Sequence, residues 1–299
     1  MVSKNEERAA LIKRRENFWY PEKSRVAVLD ELSEMYNDPQ RHRTRSIAII
    51  ADSNGGKSQI PIQFMRRHPV ILSTSDDYDT IPAIAVSMTG IRTLPEFSRQ
   101  LLAAVRAPAR NQASSRPETY EFGIKRFMQH ARKVQLKIIF LDEFHDCVKE
   151  SKGEQFLRAI KSLLLEHFYI VPMGTEELIP ILEGDPQIWS RINFKRGRLG
   201  NINDLGVIKT LIHKLTASEM DVSDAALTFI KNATDGIIGH ILDLIEETLT
   251  DQKKLDYKSL QEQVKTMSAL DNILDVGKKP HESEFVKEAP KAKGKPARL

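Results

Sequence analysis

The feature that most constrains the fold is a short apolar run that ends in a glycine-containing loop. The run SIAIIA, residues 46–51, is rich in branched side chains, which is typical of a strand buried on both faces. The sequence IPIQFMRR, residues 60–67, then begins a helix, and Pro61 is compatible with it because proline is tolerated in the first helical turn. A buried strand, a tight loop and a helix therefore follow one another directly.

The loop ADSNGGKS, residues 51–58, has the pattern of a phosphate-binding loop except at its first position. In such a loop the backbone N–H groups point at the phosphates, and this close approach requires small residues such as Gly55 and Gly56. Lys57 would reach the β- and γ-phosphates, and the Ser58 hydroxyl would bind Mg²⁺. An accidental GKS sequence is the alternative. We predict ATP and Mg²⁺ as cofactors, with nucleotide contacts from Asn54, Gly55, Gly56, Lys57, Ser58 and Gln59.

Ala51 occupies the position at which the phosphate-loop pattern begins with glycine. If the φ angle of this residue is positive, alanine costs on the order of 1 kcal/mol there. The expected consequence is a strained loop that still binds nucleotide but hydrolyses it slowly.

A second apolar run ends in adjacent carboxylates. The run LKIIFL, residues 136–141, is followed by Asp142 and Glu143. At the end of a parallel strand, Asp142 can hold the Mg²⁺ shell, and Glu143 can polarise an attacking water as general base. Such a pair is otherwise often a helix N-cap, which is the alternative. His145 has no second His or Cys near it at ligand spacing, so a metal role is not favoured for it.

Two further polar positions complete the predicted catalytic set. Thr175 follows the apolar run at residues 168–173 and could hydrogen-bond the attacking water or the γ-phosphate, unless it is a turn residue. Arg191 lies in SRINFKRGR, residues 190–198, which holds four cations and no acid. An arginine delivered to a neighbouring subunit stabilises transition-state charge, so Arg191 is a candidate trans-acting residue. A solvated basic loop is the alternative.

Strand and helix patterns alternate along the chain as far as about residue 204. VILST (70–74) and AIAVSM (83–88) are further strand candidates, whereas 94–105 and 119–134 have helical patterns. This alternation predicts an α/β fold with a parallel sheet and crossover helices. Beyond residue 204 only helical patterns follow. The predicted organisation is an N-terminal helical partner-binding segment at 1–45, an α/β nucleotide-binding domain at 46–203, a helical lid domain at 204–270 and a flexible basic tail at 271–299.

The charges are unevenly distributed although the net charge is only +4. Residues 91–137 carry ten basic against three acidic side chains, whereas residues 142–187 carry ten acidic against four basic ones. A polyanion such as nucleic acid could bind the basic part, and an ordinary solvated helix face is the alternative. No apolar run reaches the roughly 18–20 residues needed to span a bilayer, and the single cysteine, Cys147, excludes an intramolecular disulfide. We expect a cytoplasmic protein with no membrane partner.

Together these motifs resemble those of AAA+ ATPases and, more closely, those of the TniB/TnsC family of transposition regulators, which is related more distantly to MuB. The resemblance covers roughly residues 18–250. It rests on FWYPEKSRVAVLDEL, ADSNGGKSQI, IIFLDEFHD, VPMGTEEL, DPQIWSRINFKRGRL and DGIIGHILDLIEETL. The succession of GTEEL and DPQxxSR is the more specific part. The implied fold is an AAA+ P-loop NTPase with a parallel central sheet and a small C-terminal helical lid domain.

The resemblance also implies a function. Such a protein is a bacterial ATPase that assembles with itself as a ring or helical filament on double-stranded DNA of any sequence. It links a TniQ-type targeting adaptor to the transposase and disassembles on ATP hydrolysis. The motif positions that carry over are Gly56, Lys57, Ser58, Asp142, Glu143, Thr175 and Arg191. DNA contacts in the family lie between the two nucleotide motifs, and the candidates here are Arg92, Arg99, Arg116, Thr119 and Lys125.

One position of the lid departs from the family pattern. After Gly-x-x-Gly, where relatives have arginine or another cation, this chain has His240. We predict that His240 contacts the nucleotide and that sensing from the lid is weaker or pH-dependent.

Two other functions stay open at this point. A helicase-loader or initiator-type AAA+ protein would bind replicative helicase in place of transposase. A non-hydrolysing, nucleotide-dependent scaffold would bind DNA equally well with and without nucleotide.

Overall fold

A computed structural model describes residues 4–16, 18–39, 45–74, 78–108, 119–148, 153–252 and 254–277. The strands are β1 (Ser46–Ile47), β2 (Ile49–Ile50), β3 (Ala83–Ser87), β4 (Ile138–Asp142), β5 (Tyr169–Gly174) and β6 (Ile192–Asn193). The helices are α1 (Lys4–Glu16), α2 (Lys23–Asn37), α3 (Gln59–Arg67), α4 (Leu94–Ala104), α5 (Tyr120–Lys133), α6 (Phe144–Val148), α7 (Gly153–Leu165), α8 (Leu178–Glu183), α9 (Pro186–Trp189), α10 (Leu205–Thr216), α11 (Asp224–Ala233), α12 (Ile238–Gln252) and α13 (Tyr257–Gly277).

The central sheet is parallel, as the alternation of strands and helices predicts. Its hydrogen-bonded order is β2-β5-β4-β3, and β1 pairs with β6 in a second parallel ladder. Ala48, between β1 and β2, donates its N–H to the carbonyl of Asn193 at 3.1 Å. The run SIAIIA is therefore one extended segment that pairs with β6 through its first half and with β5 through its second. All of its residues are buried, which explains its apolar composition.

Alternate side chains of the central strands enter two different cores. Ile139 and Leu141 face the core that contains α4, α5 and α7, whereas Ile138 and Phe140 face the core that contains α2 and α3. The Phe140 ring packs edge-on against Phe64 of α3, with 5.7 Å between ring centroids. Burying side chains of this size stabilises the fold by about 1.5–3 kcal/mol each. The sheet is therefore covered by helices on both faces.

The helices after residue 204 form a third apolar core, in agreement with the predicted helical patterns. Helices α10 and α11 begin at the N-caps Asp204 and Ser223, whose side chains accept hydrogen bonds from backbone N–H groups of the first turn. Their buried faces meet those of α12 and α13. The last helix, α13, continues to Gly277, past the predicted boundary at residue 270.

The N-terminal segment is divided between two of these cores. Leu11 of α1 is buried among the helices of the C-terminal domain, and the Arg14 guanidinium donates to the carbonyl of Thr216 at 2.9 Å. Helix α2 instead buries Val28, Leu29 and Leu32 against the sheet. Helix α1 thus packs on the helical domain and α2 on the sheet domain, and the predicted role of segment 1–45 in binding a partner is untested.

One predicted strand is absent from the sheet. Within VILST (70–74), only an isolated antiparallel bridge joins Ile71 to Thr80. Ile71 and Leu72 are 62% and 70% exposed. This branched apolar run has the residue types of a strand, but among the described residues it pairs with no strand of the sheet and its side chains are exposed, so the prediction was wrong. The predicted tail beyond residue 277 lies outside the described residues.

Candidate nucleotide site

The phosphate-loop candidate lies between the end of β2 and the start of α3, where the sequence pattern places it. Asn54 and Gly56 have positive φ angles of 59° and 86°. Both residue types tolerate this region better than others do. A Cβ atom on Gly55 would lie 2.8 Å from the carbonyl oxygen of Asp52, so only glycine fits there. Ala51 is not among the residues with positive φ. The strain that sequence reasoning allowed for at Ala51 therefore does not arise.

Lys57 is held inside this loop. The side chain is 5% exposed, and Nζ donates to the carbonyl oxygens of Ala51 and Asp52 at 3.1 and 3.0 Å. Its distance to Oε1 of Glu143 is 3.9 Å. The ammonium group thus lies where the loop carbonyls meet the carboxylate of Glu143, which follows β4, and it supplies positive charge beside the loop.

The two predicted magnesium ligands contact each other. The hydroxyl of Ser58 donates to Oδ2 of Asp142 at 2.9 Å, and Oδ1 of Asp142 accepts from the N–H of Glu143 at 3.1 Å. Mg²⁺ prefers oxygen ligands and is usually bound by one or two carboxylates together with substrate phosphates. No group of three or more His, Cys, Asp or Glu side chains with metal-binding geometry occurs among the described residues. A hydroxyl and a carboxylate beside a phosphate loop therefore fit Mg²⁺ carried by a nucleotide.

Glu143 and Thr175 occupy the ends of neighbouring strands. Glu143 has a φ of 51°, a left-handed conformation that is uncommon for glutamate and clusters at functional sites. Thr175 follows β5, whose last residue, Gly174, accepts a hydrogen bond from the N–H of Ala51 at 3.2 Å. The hydroxyl oxygen of Thr175 is buried and has no hydrogen-bond partner among the described residues. Parallel pairing of the strands thus brings both predicted residues to the edge that carries the loop.

A cavity of about 340 Å³ opens beside the loop. This volume is within the usual range for a small-molecule site. Its wall combines the loop with part of the N-terminal segment and the start of α12. The lining residues are Arg15, Phe18, Trp19, Tyr20, Arg25, Asn54, Gly55, Gly56, Lys57, Ser58, Gln59, Glu143, Ile238, Gly239 and Leu242. The N–H of Gly239 donates to the carbonyl of Asn54 at 3.0 Å, which ties the lid helix to the loop.

The aromatic end of this cavity was not predicted as part of the site. Phe18, Trp19 and Tyr20 are consecutive and supply flat apolar surface, whereas the loop supplies the polar surface. Aromatic faces and a few polar groups are the usual composition of a pocket for a planar ligand such as a nucleobase. The sequence FWY was visible, but nothing in a single sequence indicates that it folds back over a loop that begins more than thirty residues later.

Two arginines of the N-terminal segment also line the cavity. Arg25 of α2 is 2% exposed, and its Nη2 donates to the carbonyl of Gly55 at 3.0 Å while Nη1 lies 3.3 Å from Oε2 of Glu22. Burial lowers the pKa of Arg25, and the charge and hydrogen bond of Glu22 only partly oppose this. Arg25 therefore braces the loop through one carbonyl. The sequence predicted a helical segment here, but not that an arginine of this helix is buried against the phosphate loop.

Arg15, near the end of α1, makes ion pairs with Asp243 and, at 3.0 Å, with Glu246. Both acids lie on α12. Burial acts to lower the pKa of Arg15, but the hydrogen bonds and charges of Glu246 and Asp243 outweigh this, so the pKa lies above its ordinary value. Arg15 thus fastens α1 to the lid helix at the rim of the cavity. His240, the predicted sensing residue, is half-buried and is not among the residues that line the cavity.

Arg191 lies outside this cavity. Its Nη1 donates to the carbonyl of Leu164 at 3.3 Å, and its side chain lines a separate depression beside Trp189 and Phe194, whose rings stack at 4.4 Å. It makes no contact with the nucleotide site of its own chain in this structure. A trans-acting role for Arg191 requires a neighbouring subunit and stays a prediction.

The DNA-binding candidates lie on or beside α4 and α5, which pack together. Arg92, Arg99 and Lys125 are exposed, and the Nε of Arg99 donates to the carbonyl of Pro95 at 3.4 Å. Thr119 is the N-cap of α5, and its hydroxyl accepts from the N–H of Phe122 at 3.4 Å. The cap gives Thr119 a structural role in addition to the predicted contact with DNA. Arg116 lies outside the described residues.

Solved structures with the same fold include several Walker-type ATPases. The Walker-type ATPase PABY2304 of Pyrococcus abyssi is 13% identical, with a TM-score of 0.59 over 88% of this chain and 76% of that chain. ORC1 of Aeropyrum pernix in complex with DNA is 14% identical, with a TM-score of 0.59 over 90% and 71%. Drosophila ORC bound to DNA is 12% identical, with a TM-score of 0.51 over 94% and 72%. At these identities the similarity establishes the AAA+ fold alone. Curated protein sequences gave no significant match.

Comparison with protein families is more specific. Residues 8–199 match the family described as bacterial TniB protein. The matched range contains the phosphate loop, the Asp142–Glu143 pair, Thr175 and Arg191, and it ends before the helices of the C-terminal domain. None of the described helices is long and apolar enough to cross a membrane. Because the match covers more than half of the 299 residues, the chain belongs to the bacterial TniB family.

Proposed function

We propose that this protein is an ATP-dependent regulator of transposition that assembles with itself on target duplex DNA. The observation that carries the proposal is the convergence of Lys57, Ser58, Asp142 and Glu143 at one end of a cavity in a TniB-family chain. An assembled ring or helical filament marks the target site, links a TniQ-type adaptor to the transposase and disassembles on hydrolysis.

Different residues at the cavity are proposed to bind different parts of the nucleotide. The loop N–H groups and Lys57 would bind phosphate oxygens. Ser58 and Asp142 would hold Mg²⁺, which would neutralise charge on the phosphates. Phe18, Trp19 and Tyr20 bind the base. Glu143 orients and deprotonates the attacking water, and Thr175 donates a hydrogen bond beside it.

DNA binding is assigned to exposed cations on or beside α4 and α5. Arg92, Arg99 and Lys125 contact the phosphate backbone, because long cationic side chains bind phosphates without reading bases. Thr119 belongs to the same proposed surface, and Arg116, which lies outside the described residues, is a further proposed DNA contact. Such contacts suit a protein that coats DNA of any sequence, and they weaken strongly as salt increases.

Assembly makes the proposed site complete. Arg191 of one subunit supplies the transition-state cation for its neighbour, since it does not reach the cavity of its own chain. ATP then favours the assembled state, because the nucleotide lies between parts of two subunits. Hydrolysis to ADP removes this stabilisation of the assembly.

A second candidate function is an initiator-type or helicase-loading AAA+ protein. The fold similarity to ORC1 of Aeropyrum pernix favours it. Affinity capture from the native host with ATP distinguishes the two functions. Recovery of transposase supports the first, whereas recovery of replicative helicase without transposase supports the second.

Nucleotide-dependent DNA affinity tests the proposal itself. We expect tight binding to unrelated duplexes with ATP and Mg²⁺ and much weaker binding without nucleotide, measured by fluorescence anisotropy at low salt. Equal affinity with and without ATP would instead indicate a scaffold that does not use nucleotide as an assembly switch.

A further inference from the structure

His145 is a buried polar side chain that the proposed mechanism does not yet use. It lies in the short helix α6, two residues after Glu143, and only 9% of its side chain is exposed. Its Nδ1 atom is buried and has no hydrogen-bond partner within the described residues. Buried nitrogen atoms of this kind are nearly always paired, so an unpaired one calls for a partner that a small movement can supply.

The nearest candidate partner is the proposed general base. Nδ1 of His145 lies 3.4 Å from Oε2 of Glu143, just too far or too poorly aligned for a normal hydrogen bond. On the other side of the ring, Nε2 lies 3.5 Å from Oδ1 of Asp146. The imidazole is therefore located between two carboxylates.

The two oxygens of the Glu143 carboxylate have different neighbours. Oε1 is 3.9 Å from Nζ of Lys57 and faces the phosphate loop, whereas Oε2 faces His145. If a hydrogen bond from His145 fixes Oε2, the other carboxylate oxygen, Oε1, stays directed at the phosphate loop. This division matters because a general base must present a lone pair to a water in a narrow range of positions.

The neighbouring strand leaves space for the imidazole. A Cβ atom on Gly174, the last residue of β5, would lie 2.9 Å from Nδ1 of His145. Any larger residue at Gly174 therefore displaces the ring. The left-handed backbone of Glu143 adds to this arrangement, because a strained conformation at such a residue persists only where its surroundings hold it.

We propose that His145 is a positioning residue for Glu143: its Nδ1 holds Oε2 so that Oε1 faces the attacking water beside the phosphate loop. This inference rests on the proposed ATPase function and adds to it. The imidazole touches neither nucleotide nor water in this arrangement, so its loss affects the rate of hydrolysis and not the affinity for nucleotide.

The test compares His145→Leu, which removes the donor, with His145→Asn, whose amide nitrogen can occupy the position of Nδ1. For His145→Leu we expect kcat to fall about tenfold or more, with the Kd for ATP within about twofold of wild type. His145→Asn is expected to recover part of the lost rate. His68→Leu is the matched control, since His68 packs between Tyr36 and Phe64 and does not face Glu143.

Gly174→Ala provides an independent route, because it displaces the ring without removing it. The rate losses of Gly174→Ala and His145→Leu should not add in the double variant, since both break the same contact. Unchanged kcat in His145→Leu and Gly174→Ala, or losses that add fully, would overturn the inference alone. A wild-type chain that binds no ATP would overturn the proposed function as well, so the two failures are distinguishable.

Discussion

The hydroxyl of Ser58 donates a 2.9 Å hydrogen bond to Oδ2 of Asp142, although 84 positions separate the two residues in the chain. Ser58 directly precedes helix α3, and Asp142 ends strand β4. The contact joins the two halves of the nucleotide motif at one edge of the sheet. It brings together the hydroxyl and the carboxylate that are proposed to hold Mg²⁺.

Asp142→Asn should weaken ATP binding by at least about tenfold when Mg²⁺ is present, because it removes the charge of the carboxylate that contacts Ser58. Binding measured in EDTA should change much less. A fluorescent ATP analogue titrated under both conditions provides the measurement. An equal loss with and without Mg²⁺ would show that Asp142 acts through the fold and not through the metal.

Glu143→Gln should trap the assembled state on DNA. The amide keeps the size of the side chain but removes the base, so ATP binds and is not hydrolysed. We expect disassembly to slow by about two orders of magnitude or more, as is usual when a general base is lost. Light scattering after excess competitor DNA is added follows the process. If the variant disassembles as fast as wild type, Glu143 is not the base.

Arg99→Glu should weaken DNA binding while leaving ATP affinity unchanged. The substitution replaces a cation on the exposed face of α4 that is proposed to bind DNA phosphates, so the dependence of affinity on salt should also become less steep. Lys209→Glu makes the same change of charge on the exposed side of α10 and should have little effect. A parallel loss of DNA and ATP binding in Arg99→Glu would point to misfolding.

Arg25→Ala should lower both the stability and the nucleotide affinity of the protein. It removes the buried hydrogen bond to the Gly55 carbonyl and the ion pair with Glu22, whose Oε2 keeps its hydrogen bond from the N–H of Ser24. Loss of the buried donor costs about 1–3 kcal/mol. The control is Arg67→Ala, which breaks the 2.7 Å pair with Asp30 between exposed side chains. Exposed pairs contribute about 0–1 kcal/mol. Thermal unfolding with and without ATP distinguishes the two, and equal melting temperatures would refute a bracing role for Arg25.

The sequence predicted those parts of the molecule that local patterns determine. Strand β4 and the carboxylates after it are one uninterrupted run, and the glycines of the loop have few structural alternatives. Parallel pairing then brings Thr175 to the same edge without further information. The run at 70–74 shows the limit of this reasoning, because branched apolar residues favour a strand only where they pack against neighbours, and Ile71 and Leu72 are exposed.

The contacts made by the N-terminal segment could not be predicted in this way. Arg15, Phe18 and Arg25 reach the cavity through tertiary packing of α1 and α2, which a periodic pattern does not encode. Ala51 and His240 were predicted to slow hydrolysis because they depart from the motif pattern, and a motif position does not determine backbone strain or the place of a side chain. The backbone at Ala51 is unstrained, and His240 does not line the cavity. Neither supplies a structural reason for slow turnover.

Negative-stain electron microscopy of the protein with duplex DNA at low salt tests the central claim most directly. With ATP and Mg²⁺ we predict rings or filaments on the DNA, and without nucleotide we predict none. Lys57→Ala should form none in either condition, because it removes the cation at the centre of the loop. Assemblies that form equally well without ATP, or in Lys57→Ala, would contradict an ATP-controlled assembly on DNA.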